Sequence, residues 1–186
     1  MDRTRAVGFA CLGGFLASVP LANWMIGNVG TVCVPQGPCL LPVAPGVMAP
    51  SGVVTIGFAL VLRDVVQRCL GTWWGLGAIL AGTAASFGLA DPQVVMASGM
   101  AFLLSEMADF GVYTPLQRRG LVLAVLASSA AGLVVDSIVF LTIAFGSLQF
   151  LPGQIIGKAW AVLVSVPLVR MARRLAPAPR LVPGAR

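Results

Sequence analysis

The run VVMASGMAFLLSEMADFGVY, residues 94–113, decides the fold. At 1.5 Å per residue its length matches a hydrocarbon core about 30 Å thick. Two acids, Glu106 and Asp109, interrupt it. Which solvent surrounds such a helix follows from composition: the chain is 58% hydrophobic and 10% charged, with no histidine. That balance belongs to a bilayer, and the acids are then intramembrane groups that need a reason to be there.

Working outward, six apolar runs are candidate spans: 6–26, 47–62, 73–90, 94–113, 121–146 and 154–171. The expected fold is an all-α integral membrane protein, six transmembrane helices in one compact bundle. Residues 1–175 form that domain, and 176–186 form a Pro-rich basic cytoplasmic tail. The first run lacks a small-residue cleavage site followed by a polar chain, so it is read as a retained span.

Cytoplasmic loops collect Lys and Arg. Arg3 and Arg5 precede the first run, Arg63 and Arg68 follow the second, Arg118 and Arg119 follow the fourth, and Arg170, Arg173 and Arg174 follow the sixth. The alternate loops 27–46, 91–93 and 147–153 carry no Lys or Arg. An N-in/C-in topology puts every loop cation inside. The formal net charge of +6 is thereby accounted for without a nucleic-acid partner.

Local signals are mixed. Cys33 and Cys39, in the long outer loop, either close a short disulfide ring in an oxidising compartment or remain free thiols. Cys11 and Cys69 read as small apolar residues within or beside spans. Pro50, Ser51 and Gly52 either break the second span at a cavity or mark a helix that starts at Pro50. Asp91 beside Pro92 reads as a turn or a helix cap at the outer surface. The small-residue stretches 75–88 and 127–132 suit close helix packing in lipid, and Trp24, Trp73, Trp74 and Tyr113 suit interfacial anchoring.

Asp64, Glu106, Asp109, Asp136 and Lys158 are the candidate site residues among the charged groups. Glu106 and Asp109, three apart, share a helix face, and two carboxylates that close in a low dielectric do not both ionise without a cation or donors. Asp64 sits at the cytoplasmic end of its span, beside Arg63. Asp136 and Lys158 fall at similar depth and are expected to pair, either as a structural staple or as part of a transport path.

Three segments carry a resemblance: RDVVQRCLG (63–71), the SExxD pattern at 105–109, and the serine-rich run ending in VDSIVFLTIAF (135–145). In this order, along a six-span chain, they resemble the vitamin uptake transporter family, whose members include queuosine precursor transporters. The resemblance implies uptake of 7-cyano-7-deazaguanine or 7-aminomethyl-7-deazaguanine across the cell inner membrane for tRNA queuosine salvage. By position it places the family's polar residues on Asn23, Asp64, Glu106, Asp109 and Asp136. The family often has a neutral residue where this chain has Arg63. Independently, a guanine-like edge offers a ring N–H and an amine, two donors that a carboxylate accepts side by side.

Expected partners are therefore the small-molecule 7-deazaguanine substrate and the lipid bilayer. A homo-oligomer is compatible with the sequence, and the coupling ion is not specified by it. No cofactor and no metal are expected. Alternatives are uptake of another nucleobase-like or vitamin-like molecule, or a substrate-binding membrane subunit that depends on a separate ATPase, since no phosphate-binding loop is present. An enzyme is disfavoured: without histidine, Ser-His and His-metal mechanisms are closed.

Overall fold

A computed structural model describes residues 3–35, 37–116 and 121–175. Arg118, Arg119 and the tail 176–186 lie outside the described residues. Six helices form among the described residues: α1 (Arg3–Asn28), α2 (Val53–Leu70), α3 (Thr72–Ser86), α4 (Pro92–Leu116), α5 (Leu121–Phe145) and α6 (Leu151–Leu175). Three stretches within α1, α4 and α5, namely Arg3–Asn28, Pro92–Val112 and Ala127–Phe145, are long and apolar enough to cross a membrane.

Large apolar side chains cover much of the outside, and polar ones are held inside beside the apolar core. Leu21, Leu80, Met96, Met107, Phe110, Leu163 and Val164 are exposed, while Asn23, Ser98, Asp136, Ser137, Gln154 and Lys158 are buried. So many large apolar side chains facing outward suit a lipid solvent, and polar groups then gather inside where they find partners.

The loop after α1 differs from the all-helical expectation. It folds into an antiparallel sheet of β1 (Val32–Cys33), β2 (Cys39–Ala44) and β3 (Val47–Pro50) in the order β1-β2-β3. Cys33 and Cys39 face each other across β1 and β2 and form a disulfide. A turn at Gly46, whose φ of 71° suits glycine, returns the chain into β3. Part of the expected second span, from residue 47, is therefore strand, and α2 begins only at Val53. The helix start at Pro50 is corrected accordingly: Pro50 ends the strand, and the Ser51 N–H donates to the Cys39 carbonyl (2.9 Å). The Ser51 hydroxyl donates to Met25 O of α1 (2.8 Å), so the crossing is pinned on both sides.

Because α2 starts late it also ends late, and Arg63 lies within the helix rather than in a loop. α1 and α2 run antiparallel, Gly14 facing Leu62 and Gly52 facing Ala22. Glycine at α2 position 57 is required by α6: an added Cβ would meet Ala161 Cβ and the Lys158 backbone, and small residues let helix backbones approach in this way. Gly71 (φ 105°) turns the chain into α3, which runs parallel to α1. Asp91 caps α4 as expected, its Oδ1 accepting from the Gln93 N–H at 2.8 Å with Pro92 at the first helical position.

The strongest helix pairing is α4 with α5, and the two form a hairpin. α1, α2, α3 and α6 make a second group, with α1 against α2 and α2 against α6. An apolar cluster of Ile26, Ala97, Ala101, Phe140 and Leu141 joins the two groups at one end. Phe15 and Phe102, ring centroids 5.9 Å apart, join them further along.

Candidate functional site

Polar side-chain links cross the seam between the α4–α5 hairpin and the other helices. On α5, Asp136 pairs with Lys158 of α6, and the same ammonium donates to the Ser137 hydroxyl at 2.9 Å. Ser98 of α4 donates its hydroxyl to Oδ1 of Asn23 on α1 at 2.6 Å. Glu106 of α4 pairs with Arg63 of α2. Each link is polar because each faces the inside of the bundle, where a lone polar group is costly.

The first two links surround a cavity. Ile26, Val53, Ile56 and Phe102 supply its apolar walls, and Ser98, Asp136, Gln154 and Lys158 its polar ones. Its volume is about 20 Å³, room for one water molecule. Lys158 is 1% exposed, Asp136 3% and Gln154 3%. An isolated charge at such a depth is costly, and pairing with Asp136 and Ser137 is what makes Lys158 tenable there.

Hydrogen-bonding capacity is left over at this site. Asn23 is 2% exposed and its Nδ2 has no partner among the described residues. Turning the amide over does not remove the deficit, because the Ser98 hydroxyl satisfies one end only. Gln154 lines the same cavity. A ligand with both donors and acceptors would find a carboxylate, an ammonium and the Gln154 amide around one small space, with the Asn23 amide held next to it by Ser98.

At the other end of the site residues lies a second group. Arg63 bridges Glu106 and Asp64, the Asp64 Oδ1 lying 3.0 Å from a guanidinium nitrogen. The Arg63 and Glu106 side chains are 12% and 19% exposed, that of Asp64 64%. Asp109 follows one turn after Glu106 and lies against α5, where an added Cβ on Gly132 would come within 3.6 Å of it. No salt bridge to Asp109 forms among the described residues. The i, i+3 reading of Glu106 and Asp109 holds as spacing, but Glu106 turns to a cation on α2.

The structure thus brings Asp136 and Lys158 into contact, holds Asn23 beside the same cavity through Ser98, and gathers Asp64 and Glu106 on Arg63. It keeps these two groups apart. Sequence reasoning did not select Ser98, Ser137, Gln154 or Arg63 for the site. Arg63 carries a signal, a cation directly before an intramembrane acid, but its place after the second apolar run suggests a loop charge. No group of His, Cys, Asp or Glu suited to a metal ion is found among the described residues.

Residues 51–176, more than half of the chain, match the family model described as "Putative vitamin uptake transporter". Comparison with curated proteins and with solved structures gives no match. The matched span contains Asp64, Glu106, Asp109, Asp136 and Lys158 and excludes Asn23.

Proposed function

Because this chain belongs to the vitamin uptake transporter family, we propose that it carries a small polar solute across the cell inner membrane, and that the solute is a queuosine precursor, 7-cyano-7-deazaguanine or its 7-aminomethyl analogue. The observation that carries this reading is the cavity where Asp136, Lys158, Gln154 and Ser98 meet at the seam. Asp136 accepts from the substrate's ring N–H and amine, while the amides of Asn23 and Gln154 meet its carbonyl and ring nitrogens.

A cavity with room for one water does not admit a bicyclic base. Binding therefore requires the α4–α5 hairpin to swing away from α1, α2 and α6, a motion of one packed unit against another. The polar links then act as latches on the seam. Asp136–Lys158 and Ser98–Asn23 close it around the cavity, and Glu106–Arg63 closes it farther along. In this reading all six helices cross the bilayer, short or charged ones included, with both termini cytoplasmic. Arg63 and Asp64 face the cytoplasmic side, and the Cys33–Cys39 sheet is outside.

Proteoliposomes containing only this chain, given labelled 7-cyano-7-deazaguanine, test the function. Uptake that unlabelled precursor competes away supports it and makes a separate ATPase unnecessary. Uptake of labelled guanine or a vitamin in its place would reassign the substrate. Glu106→Gln and Asp109→Asn are expected to keep precursor affinity, because neither residue lines the cavity. A loss of roughly tenfold to a hundredfold in either variant, the worth of one charge-assisted hydrogen bond, would move the substrate to the Arg63 cluster. External labelling of a cysteine introduced at Arg118 in intact cells would overturn the topology.

A further inference from the structure

A second concavity lies on the outside of the bundle, between α1 and α3, far larger than the one at the seam. Its volume is about 330 Å³ and it is lined by Leu12, Leu16, Trp73, Trp74, Gly77 and Ala81. The α3 residues at 73, 74, 77 and 81 fall on one stripe of the helix. Two tryptophans project at its start, and the small residues that follow leave the space open. Trp73 is 85% exposed and Trp74 48%.

The facing stripe of α1 has an ordered polarity. Arg5, Phe9, Leu12 and Leu16 are spaced by four, three and four residues and so share one face. Phe9 packs edge-on against Trp74, ring centroids 5.4 Å apart. Because α1 and α3 run parallel, both enter the bilayer at the same end. The groove itself runs from Trp73 and Trp74 to an apolar floor at Leu16 and Ala81; beyond its tryptophan end the same α1 face continues through Phe9 to the exposed Arg5, about two turns before Leu12.

We propose that this groove is a binding site for one anionic phospholipid, its phosphate on Arg5 and an acyl chain laid along Leu12, Leu16, Gly77 and Ala81. The order of groups along this face and the groove is that of the lipid itself: charge, interface, hydrocarbon. Tryptophan rings settle at headgroup level, and a basic residue close to the surface favours anionic lipid. α3, with 15 residues, is the shortest helix of the bundle among the described residues, and a lipid in this groove fills the side that it leaves bare. The site shares no residue with the seam cavity, so the proposal is independent of the transported solute.

The glycine at 77 supplies a clean test, because an added Cβ there meets nothing within 4 Å. Gly77→Leu puts a side chain into the groove from a position whose Cβ has open space. The purified chain is exchanged into mixed micelles with phosphatidylglycerol or phosphatidylcholine, and retained lipid is counted by native mass spectrometry. Wild type is expected to retain one phosphatidylglycerol in preference to phosphatidylcholine. Arg5→Gln should bind the anionic lipid roughly fivefold more weakly, as expected for one basic residue near the surface, and leave phosphatidylcholine unaffected. Gly77→Leu should lose both lipids while keeping the wild-type melting temperature. Ala81→Leu is the second variant if Gly77→Leu does not fold. Equal retention of the two lipids by wild type, or undiminished retention in the groove-filling variant, overturns the proposal. So does conversion of a wild-type dimer to monomer by Gly77→Leu, which would assign the groove to a second copy.

Discussion

The Asp136–Lys158 pair and the Arg63–Glu106 pair both join helices across the same seam, yet their settings differ. Asp136 and Lys158 have side chains 5% and 1% exposed, with one acid, one cation and a serine hydroxyl between them. Arg63 and Glu106 are 12% and 19% exposed, with two further carboxylates, Asp64 and Asp109, close by. One pair is balanced and sealed; at the other, among the described side chains, one guanidinium serves two carboxylates, Asp64 and Glu106. A sealed pair resists separation because each charge alone would be stranded, whereas a pair open at its rim can exchange partners at modest cost. The seam thus has one firm latch at the cavity and one that is easier to release.

The largest effect is expected where that contrast is sharpest. Asp136→Asn or Lys158→Met alone strands a buried charge, at a cost of about 3–5 kcal/mol. Either should lower the yield of folded protein and its melting temperature in detergent. The double variant should recover most of the loss, and a double as damaged as the sum of the singles would show that the two do not act as a pair.

Next comes the open pair. Arg63→Gln leaves Glu106 without its cation and should cost about 1.5–3 kcal/mol, the worth of a hydrogen bond to a charged group. The exchange Arg63→Glu with Glu106→Arg should restore part of it. An exchange no better than the single change would mean that Arg63 serves Asp64 and Asp109 as much as Glu106, and the contrast between the two latches would narrow.

Ser98→Ala should cost about 1 kcal/mol, the net worth of one neutral hydrogen bond, because Asn23 then keeps neither amide end paired. If Asn23 reads substrate, precursor affinity falls as well. A melting temperature that drops with affinity unchanged would confine Asn23 to packing.

The smallest effect is predicted for Asp64→Asn, whose side chain is 64% exposed. Stability should stay within about 0.5 kcal/mol of the parent. Uptake measured in the same preparation sharpens the comparison: its loss at unchanged stability would put the Arg63 cluster in the solute's path rather than at a latch.

Much of this was legible in the chain. The apolar runs 94–113 and 121–146 lie within α4 and α5 to within a residue, because span length follows bilayer thickness and is written directly in composition. The Asp91 cap was legible because it is local, an acid before Pro92 with its acceptor two residues from the amide it serves. The pairing of Asp136 with Lys158 was legible too, since two opposite charges at similar depth have few other means of neutralisation.

Other features were decided between segments. The run from residue 47 is apolar whether it forms strand or helix, and only pairing of β3 with β2 makes it strand. That same shift carries Arg63 into α2 and onto Glu106. Ser98, Ser137 and Gln154 are unremarkable as letters and become site residues because of what faces them across the seam. By itself, the sequence determined that this protein dissolves in lipid, roughly where its helices run, and which of its groups are costly to bury, since those follow from length and residue chemistry. The tertiary structure alone decided which partner each costly group meets, which helices form the α4–α5 unit and where the cavity lies, because a hydrogen bond or ion pair depends on a distance between residues that sequence separation does not encode.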